Sequence, residues 1–283
     1  MQPKGRDMAA SGIIRAGIGG WTFEPWRGTF FPEKLAHAKE LGYASRQLST
    51  IEVNGTYYRT QTPATFAKWA SEVPDGFVFA LKATRYSTNR KVLGEAGESV
   101  EKFLNSGVAE LGDKLGPILW QFANTKQFDA EDFGAFLKLL PEKVAGIGLN
   151  HVLEVRHGSF QAPEFIALAR QHGVAIVHAE HATYPEIADV TGRIVYSRLQ
   201  KGVDTEPTAY PSKDLDAWAK RAETWAAGGV PDDLPLVSPD DKPKAVKRDV
   251  FIYFIHEGKV RAPQAAMALQ ERVPARAQPK VAA

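Results

Sequence analysis

Eight short apolar runs, each separated from the next by a stretch with helical spacing, set the strongest limit on how this chain can fold. They are "IIRAGIGG" (13–20), "QLSTIEVN" (47–54), "FVFALKA" (77–83), "GPILWQF" (116–122), "HVLEVRH" (151–157), "VAIVHAE" (174–180), "IVYSRLQ" (194–200) and "VFIYFIH" (250–256). Runs of this length, rich in Val, Ile, Phe and Tyr, read as buried strands. Between them, "EKLAHAKELGYA" places Leu35, Ala38 and Leu41 at helical spacing. "TPATFAKWASEV" opens with Thr62 as a cap and Pro63 at the first helical position. "SVEKFLNSGVAEL" carries Val100, Phe103, Leu104, Val108 and Leu111, and "DAEDFGAFLKLL" begins at the cap Asp129. "APEFIALARQHG" stops at Gly173, "SKDLDAWAKRAETWAAGG" stops at Gly228 and Gly229, and "PQAAMALQERV" closes the series. After the sixth strand, "ATYPEIADV" allows only a shortened or irregular helix.

Strands alternating with helices imply a parallel sheet. Eight such units in 283 residues fit an α/β fold of the (β/α)8 TIM-barrel type, which typically takes about 250 residues. The competing fold is an open doubly wound sheet. It is disfavoured because "GIGGWTF" lacks the GxGxxG spacing after the first strand, and no GxxxxGK[ST] is present for a phosphate loop. The expected organisation is one barrel domain over 13–273, with a disordered extension (1–12) and a disordered tail (274–283). The Pro-, Asp- and Lys-rich stretch "VPDDLPLVSPDDKPKAVKRD" (230–249) is expected to be a mobile loop at the N-terminal face of the barrel.

The net charge of +2 does not demand nucleic acid or an acidic membrane as partner. With no cysteine, disulfides, thiolate nucleophiles and Cys-ligated metals are ruled out. "MQPKGRDMAASG" has no apolar signal core, and no run approaches the roughly 18 apolar residues of a membrane span. The expectation is a soluble, cytoplasmic protein.

The runs "GIGGWTFEPWRGTFFPEKL", "TIEVNGTYYRTQTPATFAKWASEVPDGFVFALKATRYSTN", "LGDKLGPILWQF", "LEVRHGSF" and "VYSRLQKG" resemble the YecE-like proteins, domain-of-unknown-function family 72. The resemblance spans about residues 13 to 270 and implies a TIM barrel. It implies no established activity, although barrels of this family resemble those of endonuclease IV and xylose isomerase, which use metals. Two stretches depart from the family pattern. Where the family tends to read Arg-Leu-His-Gly, this chain has Arg198-Leu199-Gln200-Lys201-Gly202. Where it tends to read Tyr-Phe-Asn-Asn/Asp, this chain has Tyr253-Phe254-Ile255-His256-Glu257. Either the family's chemistry is altered here, or His256 and Glu257 stand in for the missing groups.

In a (β/α)8 barrel, function gathers at the C-terminal ends of the strands, and the large polar residues of this chain gather there too. Glu154 and Arg156 lie two apart and share one face of the fifth strand, whereas His151 and His157 have the opposite parity. If that face is the barrel interior, Glu52, Asn54, His178, Glu180, Arg198 and Gln200 are expected to turn inward as well. The Glu154–Arg156 pair is then either a structural ion pair or a substrate contact.

Glu154, Glu52, Arg156 and His178 are the catalytic candidates. Glu154 or Glu52 would be the general acid or base, with Glu154 the more firmly ionised beside Arg156. Arg156 and Arg198, with Lys82, Arg85 and Lys201, would converge on an anion. Trp21, Tyr57 and Tyr86 would wall the pocket, and Phe23, Phe30 and Phe31 would hold the loops. Gln121 and His256 complete the substrate-binding candidates. His178 and Glu180 are the candidate ligands for a divalent metal such as zinc, manganese or magnesium, and no HExxH is present. These residues suggest a hydrolase or isomerase acting on an anionic or sugar-containing small molecule. The alternatives are a nucleic-acid-binding or processing protein resembling endonuclease IV, and a non-catalytic metabolite-binding barrel.

Overall fold

A computed structural model describes residues 12–274. Apart from Gly12 and Pro274, the extension and tail expected to be disordered lie outside the described residues. Eight parallel strands close into one barrel: β1 (Ile14–Gly19), β2 (Thr50–Val53), β3 (Val78–Lys82), β4 (Leu115–Gln121), β5 (His151–Glu154), β6 (Ala175–Glu180), β7 (Ile194–Leu199) and β8 (Asp249–Phe254). Each pairs with its neighbours in sequence, and β8 returns to β1, with Ile14 opposite Val250 and Ile18 opposite Phe254. The outer helices are α1 (Glu40–Gln47), α2 (Pro63–Glu72), α3 (Gly97–Leu104), α4 (Ala130–Leu137), α5 (Pro163–Gln171), α6 (Ser212–Ala226) and α7 (Ala262–Arg272). No described helix is long and apolar enough to cross a membrane.

Side-chain caps set two of the helix starts. The Thr62 side chain accepts from Thr65 N at the start of α2, and the Asp129 side chain accepts from Asp132 N at the start of α4. Each satisfies a backbone donor that the first turn leaves unpaired. Two helices differ from the expected spans. Helix α1 begins only at Glu40, because Arg27 donates to the Leu35 carbonyl (2.7 Å) and to the Glu40 carboxylate (2.7 Å) and holds 33–39 as a loop with a single 3-10 turn. Helix α3 stops at Leu104, and Val108 and Leu111 fall in a separate 3-10 segment. The break is at Gly107 (φ +110), where a Cβ would lie 2.5 Å from the Pro63 Cα, so only glycine allows this crossing.

Between Glu180 and Ile194 there is no helix. Pro185 interrupts the segment, and its backbone pairs instead with the long segment 230–249. Ala188 N donates to the Pro235 carbonyl (3.0 Å), and the Asp189 carboxylate accepts from Val237 N (2.7 Å) and Ser238 N (2.9 Å). That long segment crosses the N-terminal face, far from the C-terminal strand ends. In β4, Gly116 and Pro117 form a bulge against Phe79–Leu81, where proline's missing N–H does no harm.

The apolar interior has two compartments. The larger lies between strands and helices and includes Phe66, Phe103, Trp120, Phe133, Phe165 and Trp225. The smaller fills the barrel lumen with Val78, Ala80, Leu119, Val152, Ala175, Val177, Ala179, Ile194, Tyr196, Phe251, Tyr253 and Ile255. These lumen positions fix the parity of each strand. They put Lys82, Gln121, Glu154 and Arg198 on the inward face, one step nearer the C-terminal end than the lumen residues of their own strands, and in β2 Glu52 stands in the same way above Thr50, whose hydroxyl meets Tyr253 in the lumen. His178 and Glu180 have the other parity in β6 and face outward, contrary to the expectation. Their inward-facing partners are Val177 and Ala179.

Candidate functional site

The lumen is layered. At the N-terminal end Arg15 lies over the Phe251 ring (5.4 Å) and pairs with Asp249 (3.2 Å). Above it the Tyr196 and Tyr253 rings pack 4.9 Å apart, and Tyr253 shares a hydrogen bond with Thr50 Oγ1 (2.8 Å). The next layer is ionic. Arg198 donates from Nε and Nη2 to the Glu52 carboxylate (both 3.1 Å) and from Nη1 to both Glu154 oxygens (2.6 Å). Tyr196 donates its hydroxyl to Glu52 Oε2 (2.7 Å). Arg156, two residues past the end of β5, closes the network, donating from Nε (3.1 Å) and Nη2 (2.9 Å) to Glu154 Oε1.

Both carboxylates are wholly buried and their oxygens are taken up by these donors. Burial alone would raise the Glu154 pKa, but Arg198, then Arg156 and Lys82, outweigh it and hold the carboxyl below its ordinary range. Glu154 is therefore a fixed anion. Arg198 stays charged because Glu154 and Glu52 offset its burial. A buried charge that is paired and hydrogen-bonded on all sides is a frame that positions its neighbours.

Above this frame, at the C-terminal strand ends, opens a cleft of about 610 Å³. Asn54, Tyr57, Lys82, Gln121, Arg156, Arg198, Gln200 and His256 all line it, as the sequence suggested. Trp26, Tyr58, Ile255, Glu257 and Lys259 line it as well. Trp26 donates its indole N–H to the Lys259 carbonyl (2.8 Å), which joins the first and last βα connections across the rim. Lys259 gave no signal in the sequence, because it sits in a 3-10 turn after β8 that no periodicity marks.

Lys82 is only 7% exposed, yet its ammonium makes no hydrogen bond or ion pair with any described residue. Its Nζ lies 4.2 Å from the centroid of the Tyr57 ring. Burial, and then the Arg198 charge, lower its pKa from 10.5 to about 8, while Glu52 and Glu154 act the other way. Two more groups lack partners: Gln121 Oε1 and Gln200 Nε2 are buried and unbonded at the cleft. A buried polar atom without a partner costs about 1–3 kcal/mol, so these two atoms are available to a polar group entering the cleft.

Four of the candidates lie elsewhere. His178 sits outside the barrel against the rings of Trp218 (5.5 Å) and Trp225 (5.8 Å), with Nδ1 on Ser197 Oγ (2.9 Å) and Nε2 on Glu186 (2.8 Å). Glu180 accepts from the Tyr210 hydroxyl (2.6 Å), and burial raises its pKa. The two therefore do not form a metal pair, since each is committed to other partners. No cluster of three or more His, Asp or Glu positioned for a metal occurs among the described residues. Trp21 turns away from the lumen and packs edge-on against Trp69 (5.2 Å) and Phe79 (6.4 Å). Tyr86 is exposed, with the Arg85 guanidinium over its ring (5.5 Å).

A closed eight-stranded parallel barrel with its ionisable groups at the C-terminal mouth is a TIM barrel carrying a polar, cation-lined cleft. The chain belongs to the family described as protein of unknown function DUF72, whose profile matches residues 15–283. The UPF0759 protein YunF of Bacillus subtilis (strain 168) is 25% identical over 158 residues, 54% of either chain, so this chain spans about half the length of that curated relative in the match. Among solved structures, a DUF72 family protein from Thermotoga maritima MSB8 superposes with a TM-score of 0.66 at 20% identity, covering 91% of this chain and 97% of that one. Another, from Enterococcus faecalis V583, gives 0.67 at 16% identity, covering 93% and 98%. At these identities the likeness is one of fold.

Proposed function

We propose that the barrel mouth binds a small anionic, hydroxyl-bearing molecule and that Lys82 is the group that acts on it. The observation that carries this reading is the Lys82 ammonium itself, buried at the cleft without a counter-ion beside two unpartnered amide atoms. Around the cleft floor three cations, Lys82, Arg156 and Arg198, face two carboxylates, Glu52 and Glu154, so an incoming anion meets a surplus of positive charge. The unpaired Gln121 oxygen and Gln200 nitrogen call for an acceptor-and-donor group such as a hydroxyl. Of the two reaction classes suggested by the sequence, isomerisation by proton transfer suits the floor better than hydrolysis. Glu52 and Glu154 are buried and already hydrogen-bonded to Arg198, which makes them poorly placed to activate water, whereas a lysine with a pKa of about 8 exchanges protons near neutrality.

The test is calorimetric titration of the full chain with inorganic phosphate and with ribose 5-phosphate. Saturable binding that weakens at least about tenfold in Lys82→Met, roughly 1.4 kcal/mol, is expected. Absence of binding by either anion would overturn the reading. An oligonucleotide that binds with a steep salt dependence, unchanged in Lys82→Met, would move the function to nucleic acid.

A further inference from the structure

We propose that Lys82 is a covalent catalyst, whose amine condenses with the carbonyl carbon of an anionic hydroxy-aldehyde or hydroxy-ketone to form an imine. The inference rests on the mouth being an anion site and names the substrate class that site takes. Its first support is placement. A lysine kept for structure pairs with a carboxylate, and a lysine kept for charge stays hydrated. Lys82 does neither. The nearest acids are held by Arg198 and Arg156, one side of Nζ is covered by the Tyr57 ring, and the residue opens on the cleft. What remains is an amine presented to whatever enters.

The second support is its protonation. With a pKa of about 8, roughly a tenth of Lys82 is neutral at pH 7, about 300-fold more than for an ordinary lysine. Only the neutral amine is a nucleophile, and desolvation next to another cation is a known way to activate one. The third support is the set of groups around it. Gln121 Oε1 and Gln200 Nε2 lack partners and match a hydroxyl beside the carbonyl. Arg156 uses Nε and Nη2 on Glu154, which leaves Nη1 for the substrate's anionic group.

The step balances without a further reactant. The Nζ lone pair forms a C–N bond, the carbonyl π pair moves to oxygen, and that oxygen takes the proton that the nitrogen gives up, so the carbinolamine is neutral. The carbinolamine then loses its oxygen as water, taking a proton from solvent, and a protonated imine remains. Nothing is oxidised or reduced. The iminium keeps the positive charge of the ammonium it replaces, within range of Glu52 and Glu154. It also acidifies the adjacent C–H, as an isomerase or a carbon–carbon lyase requires.

The full chain is incubated with glyoxylate, a very small anionic aldehyde, and separately with pyridoxal 5′-phosphate, each with a hydride reductant that fixes imines. Mass spectrometry of the digest then locates the modified lysines. Lys82 is expected to be modified more than about tenfold faster than the exposed lysines, with a pH midpoint near 8 and with protection by inorganic phosphate. Lys82→Arg is expected to lose that fast phase with both probes. Modification confined to exposed lysines would overturn the imine. If phosphate still bound in a Lys82-dependent way, the anion site would stand without it. If phosphate binding failed too, both readings would fall.

Discussion

Lys82→Met removes an ammonium that the folded protein holds at a disadvantage, so it should stabilise the fold while abolishing what the site does. The fall in pKa from 10.5 to about 8 measures the disadvantage. At about 1.4 kcal/mol per unit, keeping the amine charged in the folded state costs about 3 kcal/mol at neutral pH. The variant also loses the contact with the Tyr57 ring, worth about 1 kcal/mol. Methionine fills a similar volume, so the net gain is about 2 kcal/mol. For a domain of this size that raises Tm by roughly 4–8 °C. The pH dependence supplies an internal control. The folded pKa lies below the unfolded one, so between pH 8 and 10.5 the unfolded chain holds more protons and wild-type stability rises with pH. The advantage of methionine is therefore full below pH 8 and shrinks through that window. Scanning calorimetry of both proteins at about pH 7 and about pH 10 reads this directly. A variant that melts no higher than wild type at the lower pH, or a difference that is the same at both, would refute the argument.

Glu154→Gln leaves Arg198 with one carboxylate and Arg156 with none, and should destabilise the protein by about 3 kcal/mol in urea denaturation. It also removes a charge that raises the Lys82 pKa, so the pH midpoint of Lys82 labelling should fall below about 8; unchanged stability would mean that the pair is not structural. Arg156→Gln acts in the opposite sense on Lys82, since Arg156 lowers that pKa. The midpoint should move upward and phosphate affinity should fall about tenfold, roughly 1.4 kcal/mol, by titration. Gly116→Ala would press a Cβ against Val78 Cγ1 and place it 2.6 Å from the Phe79 carbonyl oxygen at the β4 bulge. A loss of about 2–3 kcal/mol in thermal unfolding is expected there, because the stiff Val78 side chain and the Phe79 backbone are both in the way.

The architecture was legible in the sequence because barrel strands are apolar on both faces and helices on only one. That contrast separates the runs at Val78–Lys82 and Ile194–Leu199 from the patterns around Phe66 and Leu215. The same property hid the parity of β6. In Ala175–Glu180 both faces are buried over most of the strand, so nothing in the letters says which alternation enters the lumen. Only its register with β7, Val177 opposite Tyr196 and Ala179 opposite Arg198, decides it. His178 and Glu180 were placed on the wrong side for that reason. In β5 the acid and the arginine two residues apart are themselves the signal, because an apolar strand has no other use for them on one face. Trp21 and Tyr86 sit in loops, where strand parity gives no direction, and their rings turned to Trp69 and to solvent.

The departures from the family pattern sharpen what the floor of the cleft can do. Gln200 occupies the position where the resemblance leads one to expect a histidine, and it is buried with Nε2 unbonded. Ile255 occupies the place of an asparagine and is part of the apolar lumen. His256 and Glu257 are not substitutes at the same depth. The His256 side chain is 59% exposed, its backbone has φ +70, and its Nδ1 pairs with Glu257 at the rim. From that rim position His256 lies outside the lumen and does not take the place of a floor residue. At the floor, then, Glu52 and Glu154 are locked by arginines, Arg198 is locked by them in turn, and Gln200 and Ile255 do not titrate. Among the described residues lining the floor, Lys82 is the one whose burial brings its pKa toward neutrality, to about 8. The two substitutions leave the Lys82 amine beside an amide and an aliphatic side chain at the cleft floor.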